Sequence, residues 1–168
     1  MPTLIILGGP MGSGKTTVAK QLHQQIPQTA LLGLDRVKWT LSGFTRTKEE
    51  NALTGQVVLA MAEEYLKHGK NVILDQGFMN EEYLKPYQEL AKKYEAKTYI
   101  YQLEAPKEEL LRRLNNREKP PQAQKKLSKE KTLKNIQTYY EHKRDVKTYD
   151  TTQMSPEEIT QDIREETQ

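Results

Sequence analysis

Residues Gly9-Pro10-Met11-Gly12-Ser13-Gly14-Lys15-Thr16 fit the pattern G-x-x-x-x-G-K-[ST]. Its mechanism needs one local arrangement: a strand, a glycine turn and a helix N-terminus. The flanks supply it. Leu4-Ile5-Ile6-Leu7 is a short apolar run that reads as a buried strand, and Val18, Ala19 and Leu22 follow at helical spacing. Glycines let the backbone curl with its N–H groups inward, forming a nest for a triphosphate. The helix start adds unpaired N–H groups and a partial positive charge. In that frame Lys15 reaches the β- and γ-phosphates and the Thr16 hydroxyl ligates Mg²⁺. Gly9, Met11, Gly12, Ser13, Gly14 and Thr17 complete the cradle. The chain reads as a binder of a nucleoside triphosphate.

At 168 residues the chain suits one domain, residues 1–168, with room for a real core. Its longest apolar runs span four or five residues, too short to cross a bilayer. No basic region precedes a long apolar stretch at the N-terminus, so no signal peptide is expected. The absence of cysteine excludes disulfides, a thiolate nucleophile and a Cys-based zinc site. His23, His68 and His142 are isolated and read as polar surface residues rather than metal ligands. A reducing, cytoplasmic location fits these features. Net charge is +3, but residues 107–144 hold twelve Lys/Arg against five Glu, leaving the remainder mildly acidic. A basic block of this kind suggests an anionic ligand.

Alternation of pattern along the chain predicts alternating strands and helices. Strands are expected at 29–34, ending at Asp35, then at Asn71–Asp75, Lys97–Leu103 and Val146–Tyr149. Helices are expected at Lys48–Lys67, with Leu53, Val57, Ala60, Met61 and Leu66 placed for the amphipathic pattern, and at Glu81–Tyr94, where Pro86 intrudes. Further helices are expected at Lys107–Asn116, from a Pro-containing first turn, and in a basic stretch ending near Arg144. Ser155-Pro156-Glu157-Glu158 carries a start signal: N-cap Ser, N1 Pro and early acids. Residues 36–48 are polar and read as mobile or ligand-facing, and 118–128 as a loop. This order implies an α/β fold with a parallel sheet, with ligands beyond the strand C-terminal ends. Gly9, Asp35, Asp75 and Glu104 all fall at those ends, which gathers three carboxylates around the phosphate loop.

Asp75 closes an apolar strand, the layout of a carboxylate that holds Mg²⁺ directly or through water. Asp35 follows the second strand, where it can face the γ-phosphate and accept the proton of an attacking hydroxyl. Arg113 and Arg117, four apart at one helix end, project toward the 118–128 loop and can neutralise the charge that phosphoryl transfer spreads over equatorial oxygens. Lys38, Trp39, Arg46 and Lys48 decorate the segment after Asp35, where an acceptor would lie.

These residues carry a resemblance. GGPMGSGKTT, the strands ending at Asp35 and in NVILD, YQLEAP-KEELLRRLNNR and YDTTQMSPEEI resemble the small P-loop kinases of the AAA_33 type. The likeness is greatest to the 5′-hydroxyl polynucleotide kinase domain, with gluconate, chloramphenicol and zeta-toxin kinases similar in outline. The resemblance implies a five-stranded sheet in the order 2-3-1-4-5, helices on both faces, a basic lid near 118–128, ATP as donor and Mg²⁺ as cofactor. It implies that Lys15 and Thr16 serve phosphate and Mg²⁺, Asp35 is the general base, and Arg117 and more weakly Arg113 are lid arginines. Thr151 and Thr152 fall in the stretch beside the adenine. Lys38 stands where polynucleotide kinases hold an arginine for the acceptor phosphate, and lysine lacks the bidentate fork. After Asp75, Gln76-Gly77-Phe78 replaces the family's Thr/Ala-Asn/Thr pair.

The function so indicated is transfer of the γ-phosphoryl group of ATP to a hydroxyl, on a small molecule or a polynucleotide 5′ end. An alternative is an ATP-binding module without transfer activity. A GTPase switch needs an Asn/Thr-Lys-x-Asp motif, and Thr47-Lys48-Glu49 has no Asp in place. Acceptor identity and oligomeric state stay open at this level.

Overall fold

In the computed structural model, residues 1–77, 80–116 and 129–168 are described. β1 (Thr3–Gly8) is central in a five-stranded sheet ordered β2-β3-β1-β4-β5. Its partners are β2 (Thr29–Leu32), β3 (Asn71–Asp75), β4 (Lys97–Glu104) and β5 (Thr148–Asp150), and every pairing is parallel. α1 (Lys15–Gln25) and α7 (Pro156–Thr167) cover one face. α3 (Lys48–Lys67), α4 (Glu81–Lys93) and α6 (Lys129–Glu141) contribute to the other. α2 (Leu34–Val37) and α5 (Lys107–Asn116) lie at the C-terminal ends of the strands. No described helix is long and apolar enough to cross a membrane.

β1 is apolar on both sides because it is covered on both sides. Its odd residues Ile5 and Leu7 join Val18, Leu22, Ile159 and Ile163. Its even residues Leu4 and Ile6 join Val58, Leu66, Leu84 and Tyr139. Strand period two thus sorts one sequence into two cores. α7 begins as its sequence signal predicts: the Ser155 Oγ accepts the Glu158 N–H, and the Glu158 carboxylate accepts the Ser155 N–H in return.

Several expectations shift. The second strand stops at Leu32, and Asp35 sits in the first turn of α2 rather than at a strand end. The backbone of Gly33 passes so close to β3 that an added Cβ would lie 2.7 Å from the Asp75 carbonyl oxygen, and the chain turns there. The 36–48 segment holds the end of α2 and a 3-10 turn, Lys38–Thr40. α3 has the expected limits but buries Thr54, Val58, Ala62 and Leu66, leaving Leu53 and Val57 exposed. The last strand begins two residues later than expected, and the basic helix ends at Glu141. The 118–128 loop lies outside the described residues, as does Arg117.

Candidate functional site

The phosphate loop is shaped by contacts that leave no space for side chains. Gly9 has φ +147°, and a Cβ there would meet the Leu103 carbonyl oxygen at 2.2 Å. Gly9→Ala is therefore expected to cost about 2–6 kcal/mol, combining a disfavoured backbone region with a forced shift against β4. Urea unfolding of the variant measures this, and an unchanged midpoint would contradict the geometry. Ser13 is buried beneath the loop, its N–H donating to the Pro10 carbonyl at 3.2 Å. The Lys15 ammonium donates to the same carbonyl at 2.9 Å. Gly14 is the N-cap of α1 and has no side chain to cover the first-turn amides.

Two oxygen donors meet at the end of this loop. The Thr16 Oγ1 donates to the Asp75 Oδ2 at 2.8 Å, spanning α1 and β3. The register that places Leu7 beside Asp75 brings the strand C-terminus level with the loop. A hydroxyl and a carboxylate at this separation are the hard oxygen ligands that Mg²⁺ takes together with nucleotide phosphates. The residues present fit that ion.

A cleft of about 920 Å³ opens over these groups. Met11, Gly12, Gly14, Lys15, Thr16 and Thr17 form its loop wall. Asp35, Asp75, Arg113 and Thr151, also expected from the sequence, line its other walls. Sequence reasoning missed Arg36 and Gly33 beside Asp35, and Pro156 and Ile159 on the α7 side. The N1 proline of α7 was legible as a helix start, but nothing in its pattern linked it to the cleft.

Arg113 turns toward the phosphate loop. Its Nη1 donates to the Gly12 carbonyl at 3.3 Å and to the Thr151 Oγ1 at 2.8 Å, and its Nη2 to the Thr151 carbonyl at 3.1 Å. One guanidinium so joins α5, the loop and the β5–α7 turn. Glu109 orients it, accepting from the Arg113 Nε at 2.7 Å and from Arg112. The Arg112 and Arg113 guanidiniums hold the Glu109 carboxyl down to about 2. Its folded pKa is depressed, so the tether is present above the ordinary carboxylate value near 4.5 and is lost as pH falls toward about 2.

Apart from Asp35, the remaining expected residues do not line the cleft. Asp35 is 89% exposed at its side chain and is ion-paired with Lys38. Arg46 lies over the Trp39 ring at 5.6 Å, with the Lys38 ammonium 5.2 Å from the same ring. Trp39 also meets Phe44 edge-on, so cations and an aromatic ring occupy its surroundings. Thr152 is exposed and caps the Asp150 carboxylate through its N–H and hydroxyl. Glu104 does not join the cleft. It faces α6, accepting from the Tyr139 hydroxyl at 3.2 Å and the Lys143 ammonium at 2.9 Å. The three histidines are exposed.

Residues 4–142 match the family model described as an AAA domain, AAA_33. The chain belongs to the AAA_33 family. Its fold is that of P-loop kinases, in the predicted strand order. A putative kinase from Chloroflexus aurantiacus superposes with a TM-score of 0.76 at 21% identity, covering 98% of this chain and 95% of that one. Chaetomium thermophilum Kti12, in complex with ADP-AlF3, gives 0.67 at 17% identity over 98% and 99%. A chain of the Pnkp1/Rnl/Hen1 RNA repair complex gives 0.68 at 24% identity, over 85% of this chain and 46% of its own length. These likenesses establish the fold. No match is found among curated proteins.

Proposed function

We propose that this AAA_33 chain is an ATP-dependent kinase that transfers the γ-phosphoryl group to an alcohol. The observation that carries the reading is the Thr16–Asp75 contact of 2.8 Å, set at the mouth of the phosphate loop in a cleft that Asp35 also lines. A phosphate cradle and an oxygen-donor pair are the parts that hold ATP with Mg²⁺. A carboxylate in the same cleft is what turns nucleotide binding into transfer.

In this reading each residue has a role. Lys15 leaves the Pro10 carbonyl to meet the β- and γ-phosphates. Thr16 and Asp75 hold Mg²⁺, which when bound neutralises phosphate charge. Asp35 accepts the acceptor's proton, with Lys38 and Arg46 nearby on the acceptor side. Arg113 would neutralise the transferred charge, a role also proposed for Arg117, and Thr151 with Thr152 would border the nucleotide.

An ATP-consumption screen tests the reading directly. It sets 5′-hydroxyl oligonucleotides against sugars, nucleosides and chloramphenicol-like alcohols. Acceptor-stimulated ADP release supports transfer, whereas ATP binding without stimulation by any of these supports a regulatory module.

At least four of the eight described cations of the basic block are held by carboxylates, which favours a small acceptor over a polynucleotide. In the basic block Arg112 and Arg113 are bound to Glu109, Lys143 to Glu104 and Arg144 to Glu81. Affinity for a single-stranded oligonucleotide is therefore expected to be weak and to vary little with salt. A protein that tracks a phosphate backbone loses affinity with a slope of about 0.7 per contacted phosphate. Tight binding at low salt, lost in the variant Lys125→Ala/Lys126→Ala, would reverse this assignment.

A further inference from the structure

α2 is four residues long, and its spacing decides what each side chain meets. Leu34 and Val37, three apart, pack on the core shared with α3 and α4. Asp35 and Arg36 lie between them, are exposed, and both line the cleft. The Arg36 N–H donates to the Gly33 carbonyl at 3.1 Å, and Gly33 is the residue pressed against the Asp75 backbone. Arg36 is therefore carried on a backbone fixed against the end of β3.

Its guanidinium has no partner there. Asp35 is ion-paired with Lys38, and Asp75 accepts from Thr16, so neither carboxylate of the cleft is joined to Arg36. The other described arginines are engaged: Arg112 and Arg113 by Glu109, Arg144 by Glu81, Arg164 by Gln25 and Arg46 by the Trp39 ring. Among the described residues Arg36 is the one arginine with no hydrogen bond, ion pair or ring contact from its side chain. Lys20 adds a second such cation. It follows Thr16 by one turn on α1, which puts both on one helix face, and it too lines the cleft without a partner among the described residues.

Two unanswered cations in one cleft call for an anion. In the phosphotransfer reading the loop, Lys15 and the Thr16–Asp75 pair already answer the nucleotide phosphates. Arg36 is beside Asp35 instead, where the acceptor hydroxyl is presented. A neutral acceptor leaves its charge unanswered, whereas a carboxylate or phosphate takes the planar fork through two parallel N–H···O bonds. We infer that Arg36, assisted by Lys20, recognises an anionic group on the acceptor, so that the substrate class is a small alcohol bearing a carboxylate or a phosphate. The inference rests on the phosphotransfer reading for naming this ligand an acceptor. Binding of the anion to Arg36 does not depend on transfer.

Calorimetric titration of the whole chain, loaded with a non-hydrolysable ATP analogue and Mg²⁺, tests this with matched probes. Gluconate, ribose 5-phosphate and glycerol 3-phosphate are set against glucose, ribose and glycerol, with a 5′-hydroxyl oligonucleotide alongside. At least one anionic probe is expected to bind more tightly than its uncharged counterpart. Arg36→Gln is expected to weaken that probe about 10–100-fold, the range for hydrogen bonds to a charged group, with affinity for the ATP analogue unchanged. Arg36→Lys keeps the charge without the fork and should recover part of the loss. Lys20→Gln should weaken binding about 2–5-fold, as loss of an exposed ion pair does. Preference for gluconate indicates a carboxylate, and preference for either phosphate ester a phosphate; both results support the inference. It is overturned if no anionic probe outbinds its neutral counterpart, if binding is confined to the oligonucleotide, or if Arg36→Gln weakens the ATP analogue instead. An anionic probe that binds through Arg36 but is not phosphorylated by ATP leaves the recognition site standing and defeats the kinase reading. Transfer to a neutral alcohol that is indifferent to Arg36→Gln does the reverse.

Discussion

Lys15→Ala is expected to abolish measurable phosphoryl transfer while leaving the fold intact. The ammonium now rests on the Pro10 carbonyl at 2.9 Å, a contact within the loop itself. The apolar cores on both sheet faces are built without Lys15. With nucleotide present, the charge belongs on the β- and γ-phosphates, where it offsets negative charge developing in transfer. Loss of a single preorganised donor in other enzymes costs on the order of 10²–10³ in rate, and a full charge at a phosphate is worth at least that. Acceptor-stimulated ADP release reports the first effect, and a thermal melt reports the second. Wild-type turnover in the variant would remove the phosphate loop from the reaction. Loss of folding would instead show that the loop carriage depends on Lys15.

The P-loop and the β3 carboxylate were legible because each is tied to a strand end. Eight contiguous residues and an apolar run ending on Asp75 are enough to place Thr16 against Asp75, and the structure gives that contact. The sheet order was legible through the resemblance; alternation alone indicates parallel strands but not their sequence across the sheet. Glu104 shows the limit of reading strand ends. Like Asp75 it closes a strand, but β4 presents it to α6, where Tyr139 and Lys143 engage it. Which face a terminal side chain takes depends on the phase of the strand and the helix above it, and neither is printed in a local pattern.

Two other features were hidden for different reasons. The buried row of α3 was misplaced because Leu53 and Val57 are large and apolar, while the row that packs includes Thr54 and Ala62. Leu66 is the one residue shared by the expected and the observed rows. Arg113 and Thr151 were both named from the sequence, but their contact was not, because the partners of Arg113 are a backbone carbonyl of the loop and the Thr151 turn, 101 and 38 residues away. Helical spacing placed Arg113 on a face with Arg117, but it could not say what that face would meet.

Asp35→Asn is expected to spare ATP affinity and to lower turnover on the order of 10²–10⁴-fold, the range for a positioned general base. Asp35 lines the cleft, but its carboxylate is 89% exposed and its partner is Lys38, not the phosphate loop. The amide keeps the size and the position in α2 but cannot take a proton from an attacking hydroxyl. Removing the carboxylate should therefore act on kcat with the acceptor saturating. Asp75→Asn provides the contrast. Its carboxylate is engaged by the Thr16 hydroxyl at 2.8 Å, so that change should raise the Mg²⁺ concentration needed for half-maximal rate. If Asp35→Asn instead loses nucleotide binding and keeps turnover at saturation, the two carboxylates exchange roles. That outcome would put proton removal at β3 and place the metal beside α2, against the donor geometry that Thr16 supplies.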